Sequence, residues 1–182
     1  AVTATTTQTA ASILAAPTAP TRAGYTFAGW FADSGLTGSA ISFSYAHGQT
    51  ADFTLYAKWT TNTLNVTFQS NGGSAVTATT TQTAASILAA PTAPTRAGYT
   101  FAGWFADSGL TGSAISFSYA HGQTADFTLY AKWTANSLPV SYDAQGGSTV
   151  SNGSMLTGGS IATAPTSTRA GYTLTGWSRT AS

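Results

Sequence analysis

The residues of this chain that could do chemistry are few and scattered. His47 and His121 each sit in the sequence Tyr-Ala-His-Gly-Gln-Thr, with no third histidine and no cysteine in the chain. A zinc ion takes three or four ligands, so each histidine reads as part of a solvated turn and not as a metal ligand. Asp33, Asp52, Asp107 and Asp126 stand singly in turn-like sequence, and Asp33-Ser34-Gly35 lacks the alternating oxygen ligands of a calcium loop. Serine and threonine abound, but a hydroxyl nucleophile needs an oriented base, and no Gly-x-Ser-x-Gly elbow occurs. These patterns point to a chain that is not an enzyme and that holds no cofactor and no metal.

Two other residue types have a chemical use to weigh. Lys58 and Lys132 lie in the sequence Leu-Tyr-Ala-Lys-Trp and alternate away from its leucine and tryptophan. That pattern predicts lysines that face solvent or lay their stems along the surface with the ammonium in water. A Lys–Asn amide cross-link would need a buried carboxylate beside the pair, and the scattered aspartates do not supply one. Aromatic residues make up 12% of the chain. Exposed rings could stack on sugars, but most of these rings fall at strand-alternating positions, which makes them core. The predicted core is Tyr25, Phe27, Trp30, Leu55, Trp59, Leu64, Val66, Phe68, Tyr99, Phe101, Trp104, Leu129, Trp133, Tyr172 and Trp177. Tyr56 and Tyr130 alternate with the apolar set and are expected at the surface.

Composition excludes several partners. Charged residues are only 6% of the 182, against roughly 25% in ordinary soluble domains. The net charge is +1 and forms no basic stripe, so nucleic acid is not an expected partner. Without cysteine there is no disulfide framework, and burial and hydrogen bonding must hold the fold. No apolar run approaches the roughly 20 residues of a membrane span.

The elements that must carry these residues are repeated. Ala1 to Thr60 recurs residue for residue as Ala75 to Thr134, a spacing of 74. A diverged third copy follows, with Leu138 to Ser148 matching Leu64 to Ser74, and Ala170 to Trp177 matching Ala97 to Trp104. Three modules result: residues 1–60, a partial repeat lacking its first strand; 64–134, a complete repeat; and 138–182, a partial, diverged repeat lacking its last strand. The two incomplete copies overlap in what they supply, so the chain reads as a stretch of a longer array.

Within one unit, Leu64, Val66 and Phe68 alternate with Asn65, Thr67 and Gln69, the period of a strand with one buried face. Asn71, Gly72 and Gly73 then tolerate positive φ and predict a hairpin turn, as do Gly146 and Gly147 in the third copy. The Thr-rich stretch from Val76 to Thr83 suits the return strand. Ala84 to Ala90 has helical propensity but gives at most a short helix or a turn. Tyr99 to Phe105 is strand-like, with Gly103 marking a bulge or close packing under a ring. Ile115, Phe117 and Tyr119, and then Phe127 to Trp133, alternate as half-buried strands. The unit is a small β-rich α+β module whose sheet is mostly antiparallel or mixed, with at most one short helical turn.

The motifs Val-Thr-Phe-Gln-Ser-Asn-Gly-Gly-Ser, Ala-Gly-Tyr-Thr-Phe-Ala-Gly-Trp-Phe and Phe-Thr-Leu-Tyr-Ala-Lys-Trp-Thr, in that order, resemble the Listeria-Bacteroides repeat, similar to the B-repeat of internalins. The resemblance implies tandem β-grasp-like modules on secreted or cell-wall proteins, used as spacer, stalk or adhesion units. It implies neighbouring repeats as first partners. Ligand-binding modules for a host protein or a glycan, or subunits of a self-assembling filament, are the alternative readings. The third copy departs from the pattern after its tryptophan, with Ser178-Arg179 where Phe31 and Phe105 stand in the others.

Overall fold

The structure is a computed structural model that describes residues 15–87 and 89–179. The opening of the first copy, Leu88 and the last three residues lie outside the described residues. Ten strands follow in order: β1 (Tyr25–Phe31), β2 (Tyr56–Thr61), β3 (Thr63–Gln69), β4 (Thr79–Gln82), β5 (Ser86–Ile87), β6 (Tyr99–Phe105), β7 (Tyr119–Ala120), β8 (Phe127–Ala135), β9 (Ser137–Val140) and β10 (Gly153–Leu156).

The complete copy carries a four-stranded sheet of order β4-β3-β8-β6. Strand β3 buries alternate residues as its sequence period demands: Leu64 is 3% exposed, Val66 0% and Phe68 6%. In β8, Leu129 and Ala131 are sealed in the same way. The first copy repeats the β6–β8 pairing as β1–β2. Phe27 faces Trp59 and Phe101 faces Trp133, and each ladder shifts register just before Gly29 or Gly103. Gly103 has φ +118°, and a Cβ there would come within 2.7 Å of the Ala114 methyl. The glycine therefore serves both the bulge and a close approach, with the close neighbour an alanine instead of a ring.

Three features of the complete copy differ from the sequence expectation. Every element among the described residues is a strand, and of the short helix or turn expected over Ala84 to Ala90 the described residues show the turn. Ala84 takes φ 60° in a turn, and Ser86-Ile87 then pairs with Tyr119-Ala120. Pairing buries Ile87 to 7% exposure, and tertiary burial outweighs the modest helical preference of alanine and leucine. Of the run Ile115, Phe117 and Tyr119, only Tyr119 lies in a strand. Asn71 and Gly72 do take positive φ, at 48° and 88°, but the turn does not close a tight hairpin. Gly73 N–H returns to the Ser70 carbonyl, and Ser74 N–H then bonds the Thr95 carbonyl before the chain reaches β4.

Among the described residues the third copy contributes only the β9–β10 pair. Tyr172, expected in the core, is 68% exposed. Its counterparts Tyr25 and Tyr99 pair with Thr61 and Ala135, whereas Tyr172 has only an isolated bridge to Arg169.

By backbone contacts the chain forms two compact units. One comprises Ala1–Phe68, Thr77–Pro91 and Ile115–Leu129; the other comprises Gln69–Val76, Thr92–Ala114 and Tyr130–Ser182. The first holds the join between copies one and two, and the second holds the join between copies two and three.

Candidate functional site

The two histidines are not solvated. His47 is 8% exposed and His121 6%. His121 Nδ1 accepts the Gln123 backbone N–H at 3.0 Å, its Nε2 lies 3.3 Å from Thr81 Oγ1, and its ring leans on Phe127. An amide can only donate, so Nδ1 is the acceptor and the ring proton sits on Nε2. His47 accepts the Gln49 N–H in the same way and stacks on Phe53. The histidine is thus a buried brace that ties its own loop, and a polar residue in a turn-like sequence concealed that role. Among the described residues no three of His, Cys, Asp or Glu lie close enough to share a metal ion.

The aspartates and lysines are built into loops. Asp107 Oδ2 accepts Thr111 N–H at 3.2 Å and Thr111 Oγ1–H at 3.1 Å, and Asp33 does the same for Thr37. Asp126 accepts both the backbone N–H and the side-chain N–H of Asn65, at 2.8 and 2.9 Å. Those side-chain and backbone bonds hold its carboxyl below the ordinary carboxylate range. Lys58 and Lys132 are half-buried. Each ammonium donates to a loop carbonyl, Leu36 or Leu110, at 3.2 Å and sits 4.8 Å from the ring of Phe31 or Phe105.

The aromatic side chains mostly spend their faces on one another. Phe101 meets Trp104 and Trp133 edge to face at 5.4 and 5.5 Å, and Phe27 meets Trp30 and Trp59 in the same arrangement. Trp133 Nε1 donates to the Ser70 carbonyl at 2.8 Å, and Asn71 Nδ2 donates to the Ala131 carbonyl, so the turn is pinned to β8. Of the predicted core, Leu64, Val66, Phe68, Trp104 and Leu129 are buried. Tyr25, Phe27, Trp30, Leu55, Trp59, Tyr99, Phe101, Trp133 and Trp177 are half-buried. Tyr56 is exposed as expected, while Tyr130 is half-buried. The turn residues Gly146 and Gly147 sit against Arg169 and Ser167.

The arrangement that sequence reasoning missed lies at the joins between repeats. In the first, the Gly24 carbonyl accepts both Asn62 N–H (2.9 Å) and Thr83 Oγ1–H (2.7 Å). Thr83 N–H returns to the Asn62 carbonyl at 3.0 Å, and Thr26 Oγ1 donates to Asn62 Oδ1 at 2.7 Å. Gly24 has φ +77°, and a Cβ on it would stand 2.7 Å from Thr83 Cγ2. Linker, preceding copy and following copy therefore meet in one latch. The second join uses the corresponding residues. Asn136 N–H donates to the Gly98 carbonyl at 2.9 Å, Thr157 N–H to the Asn136 carbonyl at 2.8 Å, and Thr100 Oγ1 to Asn136 Oδ1 at 2.7 Å. A signal was present in the sequence: Thr157 keeps the position of Thr83 although the residues on both sides of it differ.

Comparison with known proteins fits this repeated construction. The family model of the Listeria-Bacteroides repeat domain matches residues 2–58, 65–132 and 139–182. A protein named "Putative membrane protein" from Evansella cellulosilytica is 37% identical over 167 residues, which is 92% of this chain and 24% of that protein. Internalin H from Listeria monocytogenes is 39% identical over 123 residues, 68% of this chain and 22% of that protein. The chain thus spans about a quarter or less of the length of these curated relatives. No solved structure gives a significant match. Among the described residues no helix is long and apolar enough to cross a membrane.

Proposed function

The chain belongs to the Listeria-Bacteroides repeat family, and from that footing we propose that it is a non-enzymatic structural spacer in the extracellular part of a bacterial surface protein, with neighbouring repeats as its partners. The observation that carries this reading is the latch made twice with the same residue types: Asn62 N–H on the Gly24 carbonyl with Thr83 N–H on the Asn62 carbonyl, then Asn136 N–H on the Gly98 carbonyl with Thr157 N–H on the Asn136 carbonyl. A spacer must hold each unit at a set angle to the next, and a linker whose backbone is hydrogen-bonded to both neighbours loses hinge freedom. A short tether without such bonds would swing. Relatives named as a membrane protein and as an internalin support the surface setting. Wall-attached or secreted placement and an adhesive role belong to the same proposal.

The test measures the joint directly. The chain contains no cysteine, so Ser39→Cys and Ala125→Cys place spin labels on exposed positions either side of the first latch. Pulsed electron resonance should give one narrow distance distribution, and Asn62→Gly should broaden it. A broad distribution in the parent chain would remove the spacer reading.

A further inference from the structure

The complete copy is entered and left through two strands that lie side by side. Asn62 stands immediately before β3 and Asn136 immediately after β8, so tension along the chain arrives at the head of β3 and departs from the tail of β8. These strands are hydrogen-bonded neighbours at the centre of the sheet β4-β3-β8-β6. They also run in the same direction. At their heads, Asn65 donates its backbone and side-chain N–H groups to Asp126, at 2.8 and 2.9 Å. Past the end of β3, the Ser70 carbonyl accepts Trp133 Nε1–H and the Ala131 carbonyl accepts Asn71 Nδ2–H, both at 2.8 Å. The contacts thus advance together along both strands, as in a parallel pair.

A pull on the two linkers therefore drags parallel neighbours lengthwise past each other. Their cross-strand bonds share the load and must yield together, whereas antiparallel neighbours pulled from the same two points would open one rung at a time. We propose that the repeat is a force-bearing clamp, in which β3 and β8 carry tension between adjoining copies and the residues from Ser70 to Asp126 are shielded until the pair slips. This rests on the spacer reading and adds mechanical load to it. The pair is built for that load in two respects. Val66, Leu129 and Ala131 are sealed, so water that would compete for a stretched bond is kept from that face. The side-chain bonds at Asp126 and at Ser70 and Asn71 fasten the two strands at both ends, where slippage has to begin. Resistance to force follows the barrier to unfolding rather than equilibrium stability, so a small, thin-cored module can still hold under tension.

Single-molecule pulling on the full chain, which has no cysteine of its own, provides the test. Handles on Thr63→Cys and Ser137→Cys, both at exposed positions, load β3 and β8 lengthwise and bypass the latches. Handles on Ser108→Cys and Ala125→Cys, also exposed, draw the end of β6 away from the start of β8 and peel that ladder rung by rung from Phe105 and Tyr130. The lengthwise pair should rupture in one step at a severalfold higher force than the peeling pair. That step should release about 260 Å less the folded separation, because the repeat spacing of 74 residues extends at roughly 3.5 Å per residue. Asp126→Ala should lower the lengthwise force. Lengthwise rupture at a force equal to or below the peeling force overturns the proposal, and so does an Asp126→Ala chain that holds as much as the parent. Either result would leave the spin-label distances between copies unchanged, so the clamp and the spacer fail separately.

Discussion

Replacing Gly24 by alanine and comparing it with Gly171→Ala isolates the packing of the latch. Both glycines sit at φ +77°, in the same Ala-Gly-Tyr sequence, so both substitutions carry the left-handed strain of an L-residue, about 1–2 kcal/mol. Their surroundings differ. A Cβ at Gly171 meets nothing within 4 Å, whereas at Gly24 it stands 2.7 Å from Thr83 Cγ2, 2.8 Å from Thr83 Oγ1 and 2.9 Å from Thr124 Cβ. Thr83 cannot easily yield, because it is 4% exposed and its hydroxyl and amide are both bonded within the latch. Overpacking of this kind costs about 1–3 kcal/mol. Gly171→Ala should therefore destabilise by about 1 kcal/mol, and Gly24→Ala by about 3 kcal/mol. Urea unfolding gives the totals, and amide exchange at Asn62 and Thr83 reports whether the loss falls on the latch. Equal costs for the two variants, or unchanged protection of those two amides, would refute the claim that the latch is tightly packed.

Three further outcomes follow from single contacts. Trp133→Phe keeps a ring against Phe101 but loses the bond to the Ser70 carbonyl, and should cost about 1 kcal/mol in chemical denaturation. His121→Phe preserves the ring contact with Phe127 but orphans the Gln123 N–H, so a loss of about 1–3 kcal/mol is expected, read as a lowered thermal midpoint. The lowered carboxyl of Asp126 gives stability that is fully present above the ordinary carboxylate range and is lost as pH falls through the lowered value. Asp126→Ala should flatten the acid limb of a pH-stability profile, and an unchanged limb would count against the Asn65 pairing.

Strands with one sealed face were legible because their residues alternate over a whole element: Leu64, Val66 and Phe68 announce β3 with no help from elsewhere. The positive-φ turn at Asn71 and Gly72 was legible for the same local reason. What escaped notice depended on distant partners. Ile87 looks helical beside alanines until Tyr119 is known to lie across from it. His121 looks solvated until Thr81, forty residues away, is brought to its Nε2. Tyr172 reads as core by analogy with Tyr99, but its burial needs a strand of the β8 kind beside it. The latch residues are small and polar, and their type carries no signal; only their recurrence at one spacing could have marked them.

The identity of copies one and two also bears on how the chain finds its fold. Strand β1 has the same sequence as β6, so β8 offers it the same cross-strand contacts and the same bulge as β2 does at every pair but one, Ala135 standing in β8 where Thr61 pairs with Tyr25. Over the shared pairs side-chain chemistry cannot tell the right partner from the wrong one. There chain length distinguishes them: closing a loop of about 100 residues in place of about 25 costs roughly 1 kcal/mol more. Correct pairing is thus favoured by a margin of kinetic and entropic origin. Sequence divergence of the kind seen in the third copy would lower the traffic into swapped pairings, and arrays of perfectly identical copies should refold more slowly and with more misassembly than arrays of varied ones.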